Sequence, residues 1–550
     1  MERGKTVKKR PFCKLRGVHV ADFNCNIGPF LVRHMPCVVQ ARCAGMGKLI
    51  ALRKSACLRL ILPFYPLAQW ESGRAVLGED NLAGISGFGA YVPRYRLGAA
   101  TDGWDSPGER AIANFDEDSV SMAVTAGIDC LKGHDRQEID GVLFATTTPP
   151  YAEKQCASII ATALDLRRDI TTADITDVLR AGTTALKSAL DSVTAGSAKK
   201  LLVIASDNRQ GAPKGDAEKN SGDGAAAFIV SNEGVIAEQA GSYTISENMM
   251  DTWRSAGDQF LRTWEDRFAI EEGLERILGE AVSGYMEKEG ASVKDVAKLA
   301  IYAPDGRRHA QLARQLGFQP EQVQEPLFGR LGNTGVAFPL MLLAGALEDG
   351  IPGQLVLTVS YGDGSDVLGF RTTEAIGGKT PALGVSGYLG SGQVLDSYET
   401  YAKWRDIWVT DASRRPQAQS PSVTAMWRES EQNIRFHGAV CNNCGYVQYP
   451  PQRVCVECQT RDDSSPVRLS DRPGTVFTFS LDYLAGTVDT PLAIAVVDFE
   501  SGGRVLCMMT DRETSELEVG LPVEMSFRKL RVVNGIHNYY WKAVPRRHAG

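Results

Sequence analysis

The chain has 550 residues, 43% of them apolar and 23% charged, the balance of a globular protein and not of a disordered, collagen-like or coiled-coil one. Lys plus Arg number 60 and Asp plus Glu 66, a net charge of −6, which argues against a general nucleic-acid binder. The 55 glycines are a tenth of the chain, above the usual share of about 7%, and point to many tight turns.

Residues 1–80 are unlike the rest. They are basic, hold five of the twelve cysteines (Cys13, Cys25, Cys37, Cys43 and Cys57) and show no sustained period of 2 or 3.6. Two readings stay open: a cleaved transit peptide, or a start assigned too early, with the true one at Met46 or later. No signal-peptide pattern opens the chain. The most apolar early stretch, Leu58 to Ala68, is too short to span a bilayer. A cytoplasmic protein with reduced thiols and no membrane partner is expected.

Regular patterning begins at the strand Ala83–Tyr91. From there to Thr373 apolar strands alternate with helices, an α/β signature. The pattern predicts strands at Gly141–Thr146, Lys200–Ser206, Ala225–Val230, Leu299–Tyr302 and Gln354–Tyr361, and helices at Ser119–Leu131, Cys156–Leu164, Gly182–Thr194, Glu272–Glu287 and Gly335–Leu347. Two halves, 81–235 and 236–410, repeat one plan: strand, loop, small-residue helix about 30 residues on, strand. The loops are Thr146-Thr-Thr-Pro-Pro150 and Ala303-Pro-Asp-Gly306. The helices open at Ala181-Gly-Thr183 and Gly332-Asn-Thr-Gly335. Duplicated α/β halves place their site where such ends converge.

Residues 411–435 read as a polar, Pro-containing linker and a helix over Ser422–Phe436; a further helix is predicted over Leu395–Val409. In 436–470 lie Cys441-x-x-Cys444 and Cys455-x-x-Cys458, with ten residues between the pairs. Two such knuckles present four thiolates to one tetrahedral zinc, and four protein ligands leave no open position, so the metal is structural. A redox site needs only one such pair, in a thioredoxin-like unit that is not evident here. Residues 471–550 turn β-rich, with strands at Thr475–Leu481, Leu492–Phe499, Arg504–Met509, Pro522–Arg528 and Ile536–Ala543, as in a small barrel.

Two resemblances follow from these pieces. Residues 83–373 resemble the 3-hydroxy-3-methylglutaryl-CoA synthase branch of the thiolase superfamily, through Gly87-Phe-Gly-Ala-Tyr-Val-Pro93, Pro150-Tyr-Ala152, Ala181-Gly-Thr183, Gly222-Asp-Gly-Ala-Ala226, Gly332-Asn-Thr334 and Val359-Ser-Tyr-Gly362. Residues 422–545 resemble the family that joins a rubredoxin-like zinc ribbon to an OB-fold and accompanies such enzymes; Tyr449-Pro-Pro451 between the cysteine pairs is part of the match. The resemblance implies a duplicated, five-layered thiolase-like α/β fold followed by a zinc ribbon and an OB-fold barrel. It implies a coenzyme A thioester as substrate, a homodimer through the thiolase-like half, and leaves room for a partner thiolase.

The family's synthases use Cys, Glu and His. By that resemblance the Cys falls at Leu179, the Glu at Thr147 and the His at Tyr302, while Asn333 matches. A leucine forms no thioester. The reading is therefore an acyl-CoA carbon–carbon bond enzyme, a noncovalent aldolase or retro-aldolase on a β-hydroxyacyl-CoA. Tyr302 would move the β-hydroxyl proton, Asn333 would orient a carbonyl, and Gly362 and Gly364 would shape an oxyanion turn. Thr147 and Arg307 would touch the substrate or the CoA phosphates. An acyltransferase with another nucleophile and a non-catalytic acyl-CoA-binding scaffold stay open. Cys130 and Cys156 read as buried structural thiols and Asp223 as a turn residue. Core or cap packing is the ordinary reason for Trp253, Phe260, Trp264 and Phe268, an acyl pocket the other; His309 and His437 suggest no role.

Overall fold

The structure is a computed structural model that describes residues 83–378, 383–408, 419–500 and 502–547; the basic N-terminal stretch and its five cysteines lie outside them. The strands of the duplicated α/β part are β1 (Gly84–Tyr91), β2 (Gly141–Ala145), β3 (Thr171–Ile175), β4 (Lys200–Asp207), β5 (Gly224–Ser231), β6 (Ala237–Ser246), β7 (Val296–Ile301), β8 (Leu355–Tyr361) and β9 (Gly364–Thr372). They join in the order β7-β8-β9-β6-β1-β5-β4-β2-β3.

That order carries the duplication. In the first half β3, β2 and β4 run parallel, and β5 and then β1 add antiparallel. In the second, β7 and β8 run parallel, and β9 and then β6 add antiparallel. Even β3 has a counterpart, since Val323 forms a parallel bridge to Leu299 on β7. The halves meet through the short β1–β6 pairing at Gly84↔Glu238 and Ile85↔Ala237.

Helices α1 (Ser119–Leu131) and α2 (Ala157–Ala163) pack on strands of the first half and α4 (Arg276–Glu289) on β6, β8 and β9 of the second, while α5 (Gly306–Gln315) follows β7. Between the half-sheets lie α3 (Ala181–Thr194) and α6 (Phe338–Glu348), each touching strands of both halves. The central position explains α6: nine of its eleven residues are buried hydrophobics or proline, a helix apolar all round because every side meets protein. Gly182 lets the two central helices close up; a Cβ there would stand 2.5 Å from the Val336 carbonyl oxygen. Helix α1 starts cleanly because the Asp118 carboxylate accepts from the Val120 and Ser121 amides in a capping box.

Four sequence expectations need correction. Glu272–Glu287 is not one α-helix: Ala269–Glu275 is π-helical and α4 follows. The helix at Leu395–Val409 is shorter, Tyr398–Trp404, with residue 409 outside the described set. The helix at Ser422–Phe436 breaks at Glu429 into α7 (Val423–Arg428) and α8 (Ser430–Asn433), and Phe436 sits beyond it at φ 59°. Trp264 and Phe268 are exposed, so core packing does not account for them.

The ribbon is the sheet of β10 (His437–Cys441), β11 (Val447–Gln448) and β12 (Ser464–Arg468). The last unit is built from β13 (Gly474–Asp482), β14 (Leu492–Phe499), β15 (Arg504–Met508), β16 (Pro522–Val533) and β17 (Ile536–Pro545), ordered β15-β14-β13-β16-β17. A parallel bridge from Met509 to Ala543 brings the two edge strands together. Buried Phe436 ties ribbon to barrel through ring contacts with Tyr449, Phe499, Tyr540 and Trp541.

The barrel docks on the turn before α1 through buried charges. Arg528 meets Asp116 and Glu117 at 3.1 Å each and Asp511 at 2.6 Å. Lys542 meets Asp116 at 2.8 Å, and the Tyr539 hydroxyl donates to Asp118 at 2.8 Å. The ribbon adds Arg435 and His437, both on Asp165; His437 has a structural partner that no sequence pattern announced. Removing one member of such a network strands the others without water, which makes the docking specific as well as costly to break.

Candidate active site and zinc centre

The ends of β2, β4, β7 and β8 and the starts of α3 and α6 converge. The turn Tyr361-Gly362-Asp363-Gly364 joins β8 to β9, with φ of 146° at Gly362 and 117° at Gly364, values that favour glycine. It presses on the turn before α3: a Cβ on Gly362 would lie 3.0 Å from both the Leu179 Cβ and its amide nitrogen, and 3.2 Å from the Arg180 nitrogen. Arg180 locks the contact, its Nε donating to the Gly362 carbonyl at 2.9 Å and its Nη1 meeting buried Asp366 at 3.2 Å. Thr183 Oγ1 also donates to Asp366, at 2.9 Å. Half-buried Leu179 thus stands on a rigid turn packed against glycine backbone.

A cleft of about 450 Å³ has Tyr302, Asn333, Arg209, Asp305 and Arg308 in its lining. Leu179, Gly362 and Gly364 do not line it, and the contact between cleft and junction runs through the stacking of Tyr302 on Tyr361. Among the described lining residues there is no cysteine. Tyr302 is buried, its ring stacked on Tyr361 with centroids 6.1 Å apart and edge-on to Phe338. Burial raises the pKa of its phenol, while the nearby Arg209 guanidinium and the Asn333 side chain pull it part of the way back. Asn333 is held at both ends of its amide: Nδ2 donates to the Ala303 carbonyl at 2.9 Å and Oδ1 accepts from the Gly335 amide at 2.9 Å.

Thr147 and Arg307 are placed differently. Thr147 donates its amide and its hydroxyl to Asp207, at 2.7 and 2.8 Å, and its carbonyl accepts from Arg254 at 2.7 Å. Neither it nor Arg307 lines the cleft; Arg307 is exposed on the first turn of α5. Arg308 does line it, already paired with Asp305 and Asp266 at 2.6 Å each. Asp223 is a buried anchor, accepting from the Ala113 amide at 2.7 Å.

Sequence reading missed three groups. Asp207, fully buried, also accepts from the Thr146 and Thr148 hydroxyls and the Val336 amide. Asp251 and Tyr361 form the second pairing. Among the described residues the buried Tyr361 hydroxyl has no partner at hydrogen-bond length, and Asp251 is the charge that most affects it. Burial raises the Asp251 pKa. The hydroxyl has room only because residue 273 is glycine, where a Cβ would sit 2.6 Å from it. Gly273 lies in the π-helical stretch, a geometry found often at functional sites. Arg209 is the third. Only the π-helix and Gly273 belong to local sequence, and neither has a readable signature.

In the ribbon the sulfurs of Cys441, Cys444, Cys455 and Cys458 all lie within 4.8 Å of one another, with Cys441–Cys458 and Cys444–Cys455 at 3.6 Å. A tetrahedron with Zn–S bonds of about 2.3 Å needs sulfurs about 3.8 Å apart, so the residues fit zinc. Thr460 Oγ1, 3.2 Å from the Cys458 sulfur, is placed to steady that ligand. This is a closed structural zinc site with nothing left to bind substrate.

A duplicated α/β architecture with its cleft where paired loops and helix starts meet is a thiolase-like fold. Three family models match: the C-terminal domain of 3-oxoacyl-[acyl-carrier-protein] synthase III over residues 286–370, the ChsH2 rubredoxin-like zinc ribbon over 428–464, and the ChsH2 C-terminal OB-fold domain over 466–528. The hydroxymethylglutaryl-CoA synthase of Methanopyrus kandleri is 34% identical over 342 residues, which is 58% of this chain and 97% of that one. The synthase of Pyrococcus furiosus is 34% identical over 351 residues, 61% and 99% of the two chains. Among solved structures, the curacin-pathway HMG synthase has a TM-score of 0.53 at 19% identity, covering 70% of this chain and all of that one. An HMG-CoA synthase complexed with CoA has a TM-score of 0.53 at 17% identity, covering 60% and 92%; these two speak for the fold. The chain belongs to the hydroxymethylglutaryl-CoA synthase family, and carries a zinc ribbon and an OB-fold after the synthase-like part.

Proposed function

We propose that the protein makes or breaks a carbon–carbon bond in a β-hydroxyacyl-CoA without carrying the acyl group on a side chain. Leu179 carries the reading: a hydrocarbon stands on the turn clasped by Gly362, where the family's reaction calls for a sulfur nucleophile. The two described cysteines of the condensing half are buried thiols, Cys156 pushed up to about 12 and Cys130 raised as well, so neither is a thiolate at neutral pH.

In the cleavage direction the β-hydroxyl loses its proton and the Cα–Cβ bond breaks. The β-carbon leaves as a carbonyl, and the bonding pair moves onto the thioester as an enolate. Protonation at Cα then gives the shorter acyl-CoA. Backbone amides of the Leu179–Arg180 turn are the donors on which an enolate oxygen would rest, since the Gly362 amide is spent on the Gly364 carbonyl at 3.0 Å. Tyr302 is a neutral phenol at neutral pH, because burial raises its pKa. It therefore accepts the hydroxyl proton only as it passes its own on. Asp251, next to Tyr361, is the carboxylate nearest in effect, and its raised pKa suits a base. Arg209 stabilises negative charge as it grows on Tyr302. Asn333 holds the Ala303 carbonyl and the Gly335 amide and so fixes the loop that bears Tyr302. Arg308 and its exposed neighbour Arg307 are the cations for a CoA phosphate.

The test is incubation with labelled acetyl-CoA and with a panel of β-hydroxyacyl-CoAs. The expected result is release of a carbonyl compound and a shorter acyl-CoA, with the intact mass of the protein unchanged. A stable mass gain equal to an acyl group overturns the reading.

A further inference from the structure

A second hollow, of about 570 Å³, opens where three stretches of the chain meet. The loop before α2 and the helix itself contribute Tyr151, Lys154 and Ile159. Helix α7, between the condensing half and the ribbon, contributes Val423, Met426 and Trp427. The β16–β17 hairpin of the barrel contributes Leu530, Ile536 and Tyr539. The hollow is distinct from the cleft; no described residue lines both.

Three observations define what fits. First, apolar surface at its edge is left to water: Trp427 is 79% exposed and Val423 62%. A short helix showing both beside a hydrocarbon-lined hollow is the pattern of a ligand site or interface. Second, among the described lining residues Lys154 is the single charged one, and none is a carboxylate. His537 also borders it, with burial lowering its pKa, so it stays neutral near pH 7. Third, the volume is that of a small-molecule pocket, apolar with a few polar groups, Asn433 and Asn538 among them. A nucleotide would bring several negative charges to one cation. An extended peptide would press backbone N–H and C=O groups against hydrocarbon that cannot pair with them.

We propose that this hollow binds the hydrocarbon chain of an amphiphile with an anionic head, the chain against Ile159, Met426 and Trp427 and the head near Lys154. A long-chain carboxylate and a long-chain acyl thioester share that chemistry. The site needs neither Tyr302 nor the cleft, so it stands or falls apart from the aldol reading.

Tryptophan emission of the full-length protein is titrated with bromopalmitate, with bromopalmitoyl-CoA and, as a chainless control, with acetyl-CoA. Bromine on a chain in the hollow quenches Trp427, and acetyl-CoA leaves emission unchanged. Quenching by the carboxylate, the thioester or both identifies the source. In Trp427→Phe the quenched fraction falls at least twofold. In Ser158→Phe, where a ring projects into the lining from an intermediate-exposure position, the apparent Kd rises at least tenfold while circular dichroism and melting stay as in the parent. Lys154→Glu weakens binding at least fivefold. Absence of chain-dependent quenching, or quenching equal in the parent, Trp427→Phe and Ser158→Phe proteins, overturns the proposal.

Discussion

The two halves of the condensing fold share strand order and helix placement, yet they spend their polar groups differently. After β2, the three hydroxyls of Thr146, Thr147 and Thr148 are all turned onto Asp207, and Arg180 at the start of α3 is tied to Gly362 and Asp366. After β7, the equivalent loop sends Tyr302 into the cleft, and Asn333 before α6 lines it too. These groups of the first half are spent on fixed contacts, several of which reach across to the second half. The second half keeps the Tyr361 hydroxyl without a hydrogen-bond partner among the described residues, beside Asp251 and stacked on Tyr302. Duplication thus supplies two candidate sites, and the aldol reading proposed above puts its proton transfer on the second.

The sharpest way to break that contrast is Tyr302→Phe. A positioned proton-transfer group contributes about 100- to 10,000-fold to rate, so cleavage of the best β-hydroxyacyl-CoA should fall by that range while the melting temperature barely moves. Unchanged cleavage would take the chemistry out of the second half.

Asp207→Ala tests the other side. It leaves the buried Val336 amide and the Thr147 amide without their acceptor, each stranded group costing about 1–3 kcal/mol. A loss of roughly 3 kcal/mol in urea unfolding is expected, with per-molecule activity reduced far less than in Tyr302→Phe. A variant as stable as the parent would mean that the first half's satisfaction is not what holds it.

How much of this was legible differs by region. The barrel strands and the zinc cysteines were readable because alternation and knuckle spacing are local. The strand Gly364–Thr372 was not: it holds glycine, serine and Asp366, which look like a turn. Their burial becomes intelligible only when Arg180, Thr183, Thr184 and Thr244 arrive from distant segments to meet the carboxylate. Asp207 and Asp251 were invisible for the same reason. Tyr302 and Asn333, singled out through loop position and family resemblance, both line the cleft, whereas Arg307 does not, because sequence says nothing about which face of a helix turn meets the cleft.

The pH profile sharpens the contrast further. If Asp251 is the acceptor, it must be ionised. Burial raises its pKa, so the rate should be flat above that pKa and fall tenfold per unit below it, with the break higher than for an exposed aspartate at about 3.9. Asp251→Asn should remove the acid limb and lower the plateau. An acid limb that survives the substitution assigns the titration to another group.

Leu179→Ala is the mildest change and speaks to the first half itself. The side chain is half buried on a turn whose backbone, through the Arg180 bond to Gly362, is fixed without it. Trimming it should cost about 2 kcal/mol of stability, the low end for a leucine truncation because the site is only partly enclosed. If the reaction needs only the backbone amides of this turn, cleavage should stay within a few-fold of the parent. A loss approaching that of Tyr302→Phe would mean that the leucine shapes the reacting group's bed, and that the first half does more than stand behind it.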